Sequence, residues 1–104
     1  KLFDIIVLDP PSFARFKGFS FNVQRDLDSL VEASAAVLAS DGFLMVSSNY
    51  SAFRLENFAQ KALNNVKKIC GNAQIIWKRS QSADFVGTGL TKDSSLCAVL
   101  IQNL

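Results

Sequence analysis

Apolar residues in this chain gather into strand-length runs and helical stripes that alternate along its first part. Phe3-Asp4-Ile5-Ile6-Val7-Leu8 has the length and composition of a strand, and it stops at Asp9-Pro10-Pro11, where two prolines forbid both further ladder pairing and an immediate helix. Asp9 is thereby expected at the carboxyl end of a strand, on a stiffened turn, at the edge where open α/β sheets bind ligands. From Val23 to Ala39 the positions Leu27, Leu30, Val31, Ser34, Ala35 and Leu38 follow the helical spacing, and Asp26 and Asp28 lie in the early turns, where the dipole favours anions. Ser40-Asp41-Gly42 is expected to end this helix, and Phe43 to Ser48 reads as a second buried strand. Both runs are apolar without strict alternation, the habit of parallel strands covered on both faces.

The second strand leads into the polar cluster Ser47-Ser48-Asn49-Tyr50-Ser51, which shares an edge with Asp9 if the two strands are parallel. Leu55, Phe58, Ala59, Ala62, Leu63, Val66 and Ile69 make a second helical stripe, with Lys67 and Lys68 near its carboxyl end and Gly71-Asn72 closing it. Ala73 to Arg79 reads as a third strand, Ser80 to Asp93 as a long polar connection, and Ser95 to Gln102 as a fourth strand. No helical stripe separates the last two strands, so they are expected to pair as an antiparallel hairpin. The predicted class is α/β, half of a doubly wound sheet, with two parallel strands and their helices followed by an antiparallel pair. Standing alone, the first strand would be a bare apolar edge, so more sheet is expected before Lys1 in the native protein.

With 104 residues the chain is at most one domain, and its 49% hydrophobic and 19% charged content excludes a disordered tail. No apolar run approaches the roughly 20 residues of a membrane span. There is no histidine, and Cys70 and Cys97 are far apart, which argues against a metal site or a histidine-based triad and for reduced structural thiols in a cytoplasmic protein. A formal charge of +2 is too small to point to nucleic acid, so only its distribution matters. That distribution is informative between Ser12 and Asn22, where Phe13, Phe16, Phe19 and Phe21 are interleaved with Arg15 and Lys17 around Gly18. Rings that stack on bases beside cations that meet phosphates are what a single-stranded RNA contact uses. The alternative is a loop whose rings fold back onto the domain, since exposed they would form a large apolar patch.

Together these residues resemble a family. The order of elements, Asp9-Pro10-Pro11 at a strand end and the terminal antiparallel pair resemble the carboxyl-terminal half of a class I, Rossmann-like S-adenosylmethionine-dependent methyltransferase. Leu8-Asp9-Pro10-Pro11-Ser12-Phe13, then Asn22-Val23-Gln24-Arg25-Asp26, then Ser48-Asn49 with Phe53-Arg54-Leu55, resemble the ribosomal RNA large-subunit methyltransferases. Within that class they are most similar to the guanine-N7 and cytosine ring-carbon branches. The resemblance implies a domain over residues 1–104 that is half of a catalytic domain, with the cofactor-binding half absent, and ribosomal RNA as partner.

It also implies site roles. Asp9 and the Pro10 carbonyl would orient the target base on the Asp9-Pro10-Pro11 turn, Phe13 would stack on it, and Asp9 and Asn49 would meet the cofactor edge. Asp9 otherwise caps a neighbouring turn, and Asn49 otherwise satisfies backbone at a strand end. Phe13, Arg15, Phe16, Lys17 and Arg25 would contact RNA, although Arg25 serves equally well in an ion pair with Asp26 or Asp28. Asp84-Phe85 resembles a pocket-closing segment. The cytosine-carbon branch needs a cysteine nucleophile where this chain has Ser47-Ser48-Asn49, and Cys70 and Cys97 are expected away from that edge, so a guanine ring nitrogen is favoured. Gly87 and Gly89 are too late, and open no helix, to be a nucleoside cradle. The other readings are a cytosine-carbon, protein-amide or small-molecule methyltransferase of the same fold, and a non-catalytic sheet module that recruits a partner.

Overall fold

The computed structural model describes residues 1–81 and 96–104. Its elements are β1 (Phe3–Leu8), β2 (Phe13–Phe16), β3 (Phe19–Asn22), α1 (Val23–Ala36), β4 (Leu38–Ser48), α2 (Leu55–Cys70), β5 (Ala73–Gln81) and β6 (Leu96–Asn103). β1, β4, β6 and β5 form a four-stranded sheet in that order, and β2 and β3 form a separate ribbon. β1 and β4 are parallel, as expected, and β6 is antiparallel to both β4 and β5.

The terminal antiparallel pair is therefore present, but β6 lies inside the sheet, between β4 and β5. Side chains account for this. Leu96-Cys97-Ala98-Val99-Leu100-Ile101 is apolar throughout, with Cys97, Ala98, Val99 and Ile101 buried, whereas Gln74, Lys78, Arg79 and Ser80 of β5 are exposed and suit an edge. β5 runs parallel to β4 across the inserted strand, with α2 making the crossover.

Both helices press one apolar face onto the same side of the sheet. Val23, Leu27, Val31 and Ala35 of α1 and Phe58, Ala59, Ala62 and Val66 of α2 form one core with Leu44, Val46, Val99 and Ile101 of the strands. The opposite face carries no helix among the described residues. Alternation along β1 turns Phe3, Ile5 and Val7 to that face, and Ile5 remains 70% exposed. The expected covering of the strands on both faces is thus met on one.

Two expectations are corrected locally. α1 stops at Ala36, short of Ala39, because Leu38 is drawn into the core at 4% exposure and already pairs with Phe3. Ser40-Asp41-Gly42 is then a bulge within β4: the register passes from Phe3 opposite Leu38 to Ile5 opposite Phe43. A Cβ on Gly42 would come 2.8 Å from the Ala39 carbonyl oxygen and 3.0 Å from that of Asp4, so the bulge needs glycine there. The Asn103 amide donates to the Leu38 and Ala39 carbonyls at 3.3 and 3.1 Å, satisfying acceptors that the bulge frees.

The second correction concerns the stretch from Ser12 to Asn22, which is a β-hairpin and not an irregular loop. Phe16 pairs with Phe19 across Lys17-Gly18, whose φ values of 45° and 85° are those of a two-residue turn with both central residues left-handed. The turn is written in the sequence only as a lysine before a glycine, a weaker signal than asparagine-glycine.

Candidate active site

The parallel pairing of β1 and β4 puts their carboxyl ends side by side, with Leu8 opposite Val46. The next residues on each strand meet through side chains: Ser47 Oγ donates to Asp9 Oδ1 at 2.8 Å, and Ser12 Oγ donates to Asn49 Oδ1 at 3.0 Å. Ser47 is buried and Ser48 fully so, whereas Asp9, Pro11 and Asn49 are exposed and Pro10 is half-buried. A buried hydroxyl therefore fixes one carboxylate oxygen, and the other meets no protein donor among the described residues. Asn49, whose amide oxygen is taken by Ser12, stands at the tip of the neighbouring strand with its amide nitrogen available as a donor. An acceptor and a donor at one sheet edge, on a backbone stiffened by two prolines, can hold the polar rim of a planar ligand. Sequence reasoning placed Ser47 on the Asp9 edge but gave neither it nor Ser12 a hydrogen-bonding role. The only signal was serine at the end of an apolar strand, one residue short of the strand's last position.

The hairpin rises from this turn. Its root is closed by the Val23 amide, which donates to the Ser12 carbonyl at 2.9 Å. Phe13 and Arg15 share one face, opposite Asn22 and Ser20, and Phe16 shares the other with Phe19 and Phe21. The Arg15 guanidinium lies 5.9 Å from the Phe13 ring centre, and the Lys17 ammonium 5.4 Å from that of Phe16. Of the two outcomes weighed for the rings, Phe21 folds back against the core, while Phe13, Phe16 and Phe19 stay exposed.

Arg25 is placed differently from the other cations. It bonds both oxygens of Asp26, at 2.8 and 2.7 Å, and donates to the Ser20 carbonyl at 2.7 Å, so its side chain joins α1 to β3. Asp26 in turn accepts from the Asn22 amide at 3.0 Å, and the Asn22 side chain caps α1 by accepting from the Gln24 and Arg25 amides. The hydrogen bonds from Arg25, then that from the Asn22 amide, hold the Asp26 carboxyl down at about 2, and Asp26 raises the Arg25 guanidinium. Tyr50 adds a brace not foreseen from sequence: its hydroxyl donates to Gln24 Oε1 at 3.1 Å, and its ring meets Phe53 edge-on at 5.0 Å.

The cysteines divide. Cys70, at the end of α2, donates to the Ala35 carbonyl at 3.5 Å, far from the β1 and β4 tips. Cys97, contrary to expectation, is at the candidate edge, opposite Ser48, because the antiparallel β6 starts where β4 ends. It is 4% exposed, and burial pushes its thiol up, against a smaller opposing effect of the Arg54 charge. An occluded protonated thiol is a poor nucleophile. Asp84, Phe85, Gly87 and Gly89 lie outside the described residues. Gly18, Gly42 and Gly71 occupy a hairpin turn, a bulge and a helix end, so no glycine turn opens a helix among the described residues. Among the same residues, no three Cys, Asp or Glu side chains gather as a metal site, and no helix is long and apolar enough to cross a membrane.

No family model matches the chain. It is 40% identical over 72 residues to ribosomal RNA large subunit methyltransferase K of Neisseria meningitidis, which covers 65% of this chain and 20% of that protein. It is 42% identical over 66 residues to ribosomal RNA large subunit methyltransferase K/L of Magnetococcus marinus, covering 62% of this chain and 9% of that protein. The chain thus spans a fifth or less of the length of these relatives. In structure it superposes on SMU.776, crystallised with SAH, with a TM-score of 0.71 at 24% identity, over 97% of this chain and 26% of the other. It also superposes on the SAM-dependent methyltransferase from Agrobacterium tumefaciens with a TM-score of 0.67 at 15% identity, over 99% and 34% of the two chains.

Proposed function

From a chain with the fold of S-adenosylmethionine-dependent methyltransferases and sequence similarity to ribosomal RNA large-subunit methyltransferases, we propose that residues 1–104 form the carboxyl-terminal half of a class I catalytic domain. The domain methylates large-subunit ribosomal RNA, with a guanine ring nitrogen as target. The observation that carries this reading is the Asp9 carboxylate at the end of β1, one oxygen held by Ser47 at 2.8 Å and the other without a protein donor among the described residues, beside the Asn49-bearing tip of β4.

In this reading Asp9 and the Pro10 carbonyl accept hydrogen bonds from the base, Pro11 keeps the turn rigid, and Phe13, 55% exposed, stacks on the ring. Asn49 donates to the base or the cofactor edge. Asp9, next to it, is an anion suited to a neighbouring cation. S-adenosylmethionine, when bound, supplies a methyl group activated by a sulfonium. Direct displacement from such a donor would ask of the protein in-line placement of the ring nitrogen and exclusion of water, and the Asp9-Pro10-Pro11 turn and Phe13 would supply the placement on the target side. The described residues meet the target side of such a site and contain no nucleoside cradle. Residues upstream in a longer chain would supply it.

Methylation at a cytosine carbon is disfavoured by the occluded Cys97 and by serine at positions 47 and 48. Radiolabelled methyl transfer tests the proposal. The intact enzyme that contains this chain labels ribosomal RNA, and label on a protein or small molecule with RNA untouched would overturn it.

A further inference from the structure

Building on the RNA reading above, we propose that the β2–β3 hairpin is a rigid stacking pin, whose paired Phe16 and Phe19 rings cap the last stacked base of an RNA stem–loop junction while Asp9 receives a nucleotide unstacked nearby. Rigidity is the first support. The two strands are joined by a two-residue turn, the root is closed by the Val23 amide on the Ser12 carbonyl, and the Arg25 guanidinium ties the Ser20 carbonyl to Asp26 of α1. Asn22 ends the hairpin and caps the helix, so the ribbon inherits the orientation of α1.

The arrangement of rings is the second. Phe21, Phe16 and Phe19 share a face, and Phe21 at the root packs on the core. Phe16 and Phe19 pair across the narrow tip at 68% and 78% exposure, a place where neither can reach the core. Charge then selects the occupant. Each side of the ribbon carries a cation beside an aromatic ring, Lys17 with Phe16 and Arg15 with Phe13, and no acidic residue occurs between Asp9 and Asp26. Aromatic surfaces flanked only by positive charge complement stacked bases flanked by phosphates.

The ribbon also sets a distance. Phe13 and Phe16, on opposite faces of the ribbon, are three residue steps apart, about 10 Å of extended backbone, the rise of about three stacked nucleotides. The substrate class that suits this spacing is a structured RNA in which the target lies a few nucleotides from the end of a stack.

The test is fluorescence titration of a synthetic RNA stem–loop, with 2-aminopurine at the first loop nucleotide, against the protein and its Phe16→Leu and Phe19→Leu variants. Leucine keeps the apolar surface and removes the stacking face, and both positions are exposed enough for the fold to persist, which circular dichroism verifies. The expected result is quenching by the unaltered protein and affinity at least about fivefold weaker for each variant. Lys17→Ala instead lowers the salt dependence, by about 0.7 in the slope of log affinity on log salt. Equal affinity and quenching for both leucine variants would overturn the pin while leaving RNA binding intact. Absence of RNA binding by the unaltered protein would overturn the RNA reading itself. Leucine-tolerant self-association in sedimentation would assign the tip to a second copy and also overturn the pin.

Discussion

The chemistry of the candidate site rests on a few side chains whose placement makes opposite demands of them. In the proposed role Asp9 has to stay exposed yet keep a fixed orientation, and the buried Ser47 hydroxyl reconciles the two. If the intact protein is the methyltransferase proposed above, Asp9→Ala is expected to lower its kcat by about 100-fold, the scale of a lost positioning group. Ser47→Ala should cost about 10-fold in kcat, with Thr at position 47 restoring most of it, since the lost bond orients a charged acceptor. Steady-state methyl transfer measures both. Cys97 is a residue that sequence alone misplaced. Burial raises its thiol, so alkylation by iodoacetamide at neutral pH should be far slower in the native protein than in urea, as mass spectrometry would report. Fast labelling of the native thiol would reopen cytosine-carbon chemistry. Asp9 was legible because proline punctuation is local. Cys97 was not, because its position depends on which gap in the sheet its strand enters.

At the scale of elements, the helices were readable from their stripes and the ends of those helices only partly so. The apolar spacing of α1 continues through Leu38, and nothing local marks Ala36 as the last turn. Competition decides it, because Leu38 gains burial and a strand partner by leaving the helix. Its amino end is the reverse case, with Asn22, Arg25 and Asp26 making a local capping network. That network gives α1 a dependence on acid. Asp26 has a folded value of about 2 against an ordinary value of 3.8, so its contribution is complete above the ordinary value and is lost as pH falls toward the folded one. Amide exchange at the start of α1 should therefore accelerate between about pH 4 and pH 2, and Asp26→Asn should remove that dependence. The same network anchors the hairpin, whose identity as a ribbon was hidden because Phe13-Ala14-Arg15-Phe16 does not alternate and Lys17-Gly18 is a weak turn signal. Phe13, Phe16 and Phe19 are exposed because the ribbon is separate from the main sheet, which no local pattern encodes.

For the molecule as a whole, the governing feature is a sheet with helices on one side. β1 is an edge strand among the described residues, and its Phe3, Ile5 and Val7 are exposed on the helix-free face. Strands of this kind template association. Replacing Ile5 and Val7 by lysine is expected to reduce concentration-dependent light scattering while changing unfolding free energy by no more than about 0.5 kcal/mol per site, because neither side chain is in the core. A large loss of stability would show that this face is already packed in solution. The similarity to ribosomal RNA large-subunit methyltransferases, seen first in three short motifs, is borne out by relatives at about 40% identity, and the superpositions bear out the methyltransferase-like sheet.

The sequence by itself determined the two helices with their core-facing stripes and the four strands of the main sheet, since helical stripes, apolar runs and the Asp9-Pro10-Pro11 break act over a few residues and need no distant partner. It also determined that the first two strands run in parallel, because a helix-length stripe lies between them. Only the tertiary structure decided that β6 enters between β4 and β5, that Cys97 reaches the candidate edge, and that Ser47 grips Asp9. Each of these depends on pairing between residues far apart in the chain, and strand order follows from which strand best fills the buried centre.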